Sequence, residues 1–174
     1  MSQPEPRPPS LLDLPSYLAG QVSRYGRRRL AEVLAREDLL LVHHAVLCAL
    51  DDAGPRSQQQ VADALDLDKS HLVGRIDLLE QRGLLSRTRD PADRRRHRLA
   101  LTPAGHRLLE RLRPVAAESQ RPLLAALTEP EREQLMSLLR RALAANDAAR
   151  LGRGADRDPD LAPRTADDDE APPL

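Results

Sequence analysis

Residues 57–83 read SQQQVADALDLDKSHLVGRIDLLEQRG, and two helix starts inside that run decide the fold. Ser57 stands three residues before Gln60, the spacing at which each side chain satisfies an otherwise unpaired backbone N–H at a helix start. This predicts a short helix over 58–65 with Val61 and Leu65 turned inward. After an Asp66-Leu67 turn, Asp68 can cap a second helix over 68–82. Its Leu72, Ile76 and Leu79 follow i, i+4, i+7 spacing until Arg82-Gly83 closes it. Two helices separated by so short a turn form a helix-turn-helix.

Working downstream, Leu84 to Thr88 and His97 to Leu101 are short strand-like segments around a polar hairpin tip, residues 89–96. Helix-turn-helix followed by such a hairpin is a winged helix with a two-stranded wing. Thr102-Pro103 is a helix start, and Leu108, Leu109, Leu112 and Val115 supply the next stripe. Pro114 and Pro122 are expected to kink or break that segment. Thr128 with Glu131 repeats the capping-box spacing, and Leu135, Met136, Leu138, Leu139, Ala142 and Leu143 mark a last helix ending near Ala149.

Upstream, Leu18, Val22, Tyr25, Leu30, Val33 and Leu34 mark one long helix from about Pro15 to Arg36. Leu39 to Leu50 reads as a largely buried helix, stopped by Asp51-Asp52-Ala53-Gly54-Pro55. Residues 1–9 and 152–174 lack any apolar stripe and are expected to be disordered. The expected plan is an extension at 1–9, one domain over 10–151 and an acidic tail at 152–174. Within the domain, helices at 14–36 and 103–149 flank a winged helix at 39–101. These outer helices carry more apolar surface than the winged part can cover, and a two-fold helical homodimer would use the excess. The fold class is mostly α, an α+β winged helix with long terminal helices.

Hydrophobic residues make up 40% of the chain, yet Phe and Trp are absent and Tyr occurs twice, so the core must be aliphatic. No apolar run approaches the roughly 18 residues that cross a bilayer, and the N-terminus is no signal peptide; a cytoplasmic protein without membrane association is expected. The single cysteine, Cys48, leaves no internal disulfide and no Cys-based zinc site of the usual kind. Formal net charge is zero, but unevenly spread. Between Lys69 and Arg98 there are nine basic and four acidic residues, and from Gly152 onward three basic and seven acidic. The tail therefore hides a basic middle from the overall sum.

Two stretches, LDKSHLVGRIDLLEQRGL at 67–84 and DPADRRR at 90–96 followed by LTPAG at 101–105, give this chain a family likeness. It resembles the MarR (multiple antibiotic resistance regulator) family over about residues 14–146. The resemblance implies dimerising terminal helices around a DNA-binding winged helix, and an Asp93–Arg95 ion pair shaping the wing. Val73 and Gly74 stand where relatives often have a small polar residue or Arg.

With Leu72, Ile76 and Leu79 facing the core, Lys69, Ser70, His71, Gly74 and Arg75 point outward or to the borders of the helix. In helix-turn-helix proteins the N-terminal end of this helix enters the major groove. Arg75 could fork onto a guanine edge, Ser70 and His71 could meet bases or phosphates, and Gly74 could admit a close approach; an ordinary solvated face is the alternative. Three consecutive arginines, Arg94, Arg95 and Arg96, repel one another unless an anionic surface compensates them, and the phosphates and minor groove of double-stranded DNA are such a surface. Arg94 is the candidate for the minor groove. Ser57 could donate to a phosphate but more simply caps its helix.

The resemblance also implies a small phenolic or anionic effector between dimerising helices and winged domain. Tyr25, Arg29, His43 and His44 could line that cleft, or be packed or solvated. Cys48, inside an apolar helix with no cationic neighbour in sequence, reads as a buried structural thiol. The five histidines include no i, i+4 pair and no HExxH, and there is neither a phosphate loop nor a nucleophile elbow; no metal, cofactor or catalysis is expected. The leading expectation is a ligand-responsive repressor reading a pseudo-palindromic operator. A winged helix serving only protein interaction is the other class, and it would have no need of the arginine run.

Overall fold

The computed structural model describes residues 6–89 and 97–152. Its helices are α1 (Pro9–Leu12), α2 (Pro15–Ala35), α3 (Leu41–Ala53), α4 (Gln58–Leu65), α5 (Lys69–Gln81), α6 (Pro103–Gln120) and α7 (Glu129–Gly152). Strands β1 (Arg56–Ser57), β2 (Leu85–Arg89) and β3 (His97–Leu101) form one antiparallel sheet in the order β1-β3-β2. The expected winged helix with long helices on either side is what the chain adopts.

Three details differ from the sequence reading. The sheet has a third strand, because Arg56 and Ser57 pair with Leu99 and Arg98 before α4 begins. Two residues are too few for an alternating pattern, so nothing local announces them. Pro9, expected in a featureless extension, opens a single turn of helix ahead of α2. Finally, α6 runs through Pro114, which is exposed there, so water can take the place of the lost backbone donor. The break comes at Pro122, inside the 3-10 turn Arg121–Leu124.

Local chemistry sets the helix ends. Ser57 Oγ accepts from Gln60 N–H at 3.2 Å while Gln60 Oε1 accepts from Ser57 N–H at 2.9 Å, the reciprocal cap expected of that spacing. Thr128 donates its N–H and its hydroxyl to Glu131, each at 2.7 Å, and its backbone donor first and hydroxyl second hold the Glu131 carboxyl below its usual range. Gly83, at φ 66°, ends α5 in the left-handed region that suits glycine.

The core is aliphatic throughout. Leu34, Leu47, Leu72, Ile76, Leu79, Leu85, Leu99 and Leu109 are the largest fully buried side chains, drawn from α2, α3, α5, the sheet and α6. The wing root and α6 are knotted together at Gly105. A Cβ there would lie 2.1 Å from the Leu84 carbonyl oxygen, and that oxygen also accepts the Thr102 N–H at 3.1 Å. Only glycine permits this approach.

A large apolar surface is left over. Leu12, Leu14, Leu18, Val22 and Tyr25 on the α1–α2 arm are each at least 40% exposed, as are Met136, Leu138, Leu139 and Leu143 on α7. Every described side chain of α7 from Met136 to Arg150 is exposed. Among the described residues, no helix is long and apolar enough to cross a membrane.

Candidate nucleic-acid interface

The α4–α5 unit presents the N-terminal half of α5 to solvent. Asp68 caps α5: its Oδ1 accepts the Ser70 N–H and the Ser70 hydroxyl, both at 2.8 Å. Gln58 Nε2 reaches the Lys69 carbonyl at 3.3 Å and ties the start of α4 to the start of α5. Leu72, Ile76 and Leu79 are fully buried, which turns Lys69, Ser70, His71, Val73 and Gly74 outward as one exposed surface. Built with a Cβ, Gly74 would meet no described heavy atom within 4 Å beyond the adjoining backbone of its own helix. The fold itself therefore makes no demand for glycine at this position.

Arg75 is half-buried at the border of this surface, and its charge reaches His43 behind it. It takes part in no hydrogen bond or ion pair with other described residues, so its guanidinium remains available to an outside acceptor. Val73, which the sequence reading treated only as a departure from the family pattern, is 45% exposed in the middle of the outward face. An apolar side chain there suits a thymine methyl group. Its helical position beside Lys69 and Ser70 was the signal that could have found it.

Ser57 caps α4 with its hydroxyl, the simpler of its two expected roles. Arg94, Arg95 and Arg96, with Asp93, lie outside the described residues. What the structure does place is the base of the wing. Arg87 on β2 pairs with both Asp77 and Glu80 on α5, so the hairpin is clamped to the helix beside it. The hydrogen bond to Asp77, followed by the charge of Glu80, binds the proton of that guanidinium more firmly than usual.

The four expected effector residues part company. His43 is a correction: it is 3% exposed, and its Nδ1 accepts the Leu40 N–H at 3.1 Å to cap α3 from within the core. It cannot line a cleft. Burial first, then the positive charges of Arg75 and Arg82, hold its pKa below the ordinary value and keep it neutral. Its Nε2 is buried without a partner among the described residues. Tyr25 and Arg29 lie exposed on α2, where the Tyr25 hydroxyl accepts from Arg7 at 3.2 Å.

Of the four, His44 is the one placed in a described groove. It faces an open groove of about 480 Å³ between α3 and α4, with Cys48, Asp52, Arg56 and Leu65. Its Nε2 is 3.6 Å from the Cys48 sulfur. Cys48 is half-buried rather than enclosed. Burial, followed by the Asp52 charge, pushes its pKa up despite the opposing pull of Arg113, so the thiol stays protonated.

The MarR family profile matches residues 39–97. The HTH-type transcriptional repressor NicR of Pseudomonas putida is 32% identical over 111 residues, which cover 64% of this chain and 70% of NicR. Another curated relative, from Thauera aromatica, is 38% identical over 85 residues, and the chain spans about half (51%) of its length. The transcriptional repressor CouR, solved bound to a 23-mer DNA duplex, is 30% identical with a TM-score of 0.72 over 80% of this chain and 99% of CouR. BpsR of Bordetella bronchiseptica, solved in connection with regulation of its DNA binding by 6-hydroxynicotinic acid, is 30% identical with a TM-score of 0.68, covering 79% and 97% of the two chains.

Proposed function

The chain belongs to the MarR family, and from that premise we propose that it is a DNA-binding transcriptional regulator of the repressor type, working in the cytoplasm as a homodimer and by binding rather than catalysis. The observation that carries the reading is the outward face of α5: Lys69, Ser70, His71, Val73 and Gly74 are exposed together, with Arg75 unpaired at the border, in the fold that CouR uses on duplex DNA. Each α5 enters a major groove, and the two grooves lie about one helical turn apart on a pseudo-palindromic site. Arg94, Arg95 and Arg96 extend the grip from the wing to phosphates and the minor groove. The leucine-rich surfaces of the α1–α2 arm and α7 form the dimer contact, which removes them from water.

A salt titration of binding to genomic fragments tests this, comparing wild type with Arg75→Ala and Arg94→Ala. Each phosphate neutralised contributes about 0.9 to the log–log slope. Arg94→Ala should lower the slope by about two units, roughly one for each subunit of the dimer, if it meets a phosphate, and Arg75→Ala should relax base preference. A wild-type protein that binds no fragment contradicts the reading.

The groove at His44 is the proposed effector site. Arg56 is the cation there, and it sits on β1, hydrogen-bonded into the wing sheet. A small aromatic carboxylate such as 6-hydroxynicotinic acid would pair with Arg56 and so reach the wing. Arg56→Gln should abolish its effect on DNA release, and an unchanged effect places the effector elsewhere.

A further inference from the structure

At the end of α5 remote from the groove-facing residues, Arg82 spreads its guanidinium across the turn between α2 and α3. One terminal nitrogen donates to the Asp38 carbonyl and the other to the Glu37 carbonyl, both at 2.9 Å. That turn is held in a fixed shape. Leu39 N–H bonds to the Leu34 carbonyl at 3.0 Å, and Asp38 adopts φ 52°, a region non-glycine residues seldom enter. The two carbonyls therefore point in set directions, and a planar fork is the side chain that matches two acceptors so placed. The linkage continues: the Glu37 carboxylate accepts from Arg111 on α6 at 3.3 Å through either oxygen.

Arg82 thus joins α5, the recognition helix of the helix-turn-helix, to the turn that follows α2 and, through Glu37, to α6. Helices α2 and α6 are the two elements that lead into the dimer surfaces. It lies about 20 Å along the α5 axis from Lys69, so it has no part in the groove contacts themselves.

We propose that Arg82 is a positioning residue: its fork fixes the angle of the recognition helix against the dimerisation helices and so sets the spacing of half-sites the dimer accepts. The spacing half of this statement rests on the DNA-binding reading; the angular half does not. Without the fork, α5 keeps its apolar seat on the core but loses its polar tie to the α2–α3 turn. The two recognition helices of the dimer then sample a wider range of separations.

Pulsed electron–electron resonance on the intact dimer measures that range directly, with spin labels on Val73→Cys in a Cys48→Ser background. The arginine protein should give one narrow distance distribution, and Arg82→Gln a distribution roughly twofold broader. Arg82→Lys keeps the charge and the aliphatic stem but cannot hold both carbonyls, and it should broaden likewise; it serves alone if Arg82→Gln fails to fold. Unlabelled proteins are then used to select from a duplex pool randomised over about two helical turns. Wild type should enrich one half-site spacing, whereas Arg82→Gln spreads over neighbouring spacings and binds the wild-type duplex roughly tenfold more weakly.

Equal distance distributions in the arginine and both variant proteins overturn the proposal, whatever the DNA result. So does the absence of any label-to-label distance. If wild type selects no duplex, the DNA-binding reading fails while the distance measurement still decides the clamp.

Discussion

Gly74→Ala separates what the fold asks of the recognition helix from what its partner asks. Gly74 is exposed on α5, five residues in from Lys69, and its backbone carries no positive φ. Among the described residues, a methyl group added there meets nothing within 4 Å beyond the adjoining backbone of its own helix. Alanine therefore keeps every internal contact and removes the entropic penalty of glycine in a helix interior. That gain is about 0.5–1 kcal/mol. For a chain of this size it corresponds to a rise of roughly 1–4 °C in the unfolding midpoint. If the bare backbone at Gly74 lies against DNA, the same methyl group overpacks the interface at about 1–3 kcal/mol. Affinity then falls roughly 5- to 150-fold for each half-site the dimer contacts. Thermal unfolding and fluorescence anisotropy on one preparation read both effects, which should have opposite signs. A variant that is more stable and binds DNA as well as wild type would refute the close approach. One that is less stable would refute the open surroundings of Gly74.

Two further outcomes follow from the described contacts. Leu139, 47% exposed on a helix whose described side chains are all exposed beyond Met136, should be needed for assembly only. Leu139→Asp should convert dimer to monomer in sedimentation while leaving helical content intact, and a dimer of unchanged affinity would exclude this face. His43 and His44 both titrate below the ordinary histidine value, His43 through burial and then Arg75 and Arg82, His44 through burial. Both are neutral when folded, whereas the unfolded chain takes up protons near pH ~6.5. Their contribution is therefore complete above that pH and is lost as pH falls through it toward the folded values. The unfolding midpoint should drop between about pH 7.5 and about pH 5.5, and less steeply in His43→Asn, whose amide oxygen can keep the Leu40 cap. A profile equally steep in that variant would mean that His43 is not the group involved.

Most of the secondary structure was legible because its signals are local. Ser57 with Gln60, Thr102 with Pro103 and the Leu72, Ile76, Leu79 spacing act within one or two turns of chain, and the elements they mark lie where those residues put them. Much the same holds for the outward face of α5, since burying three apolar positions settles which way the others point. The cleft was harder to read. His43 and His44 are neighbours of one type on one apolar helix, and about 100° of rotation per residue sends the first into the core and the second into the groove. Which way α3 is turned depends on everything packed around it, and no pattern in α3 alone records that.

The amino-acid sequence by itself determined the helix-turn-helix, the hairpin after it and the surplus of apolar helix, because caps and hydrophobic periods are written among near neighbours. Tertiary structure alone decided the third strand, where Arg56 meets Leu99, and the Arg82 fork, which reaches carbonyls 44 and 45 residues away. Those pairings form only when distant segments are brought together by a common core. Their partners cannot be named from spacing, and they hold the reading helix of the sequence motif to the rest of the molecule.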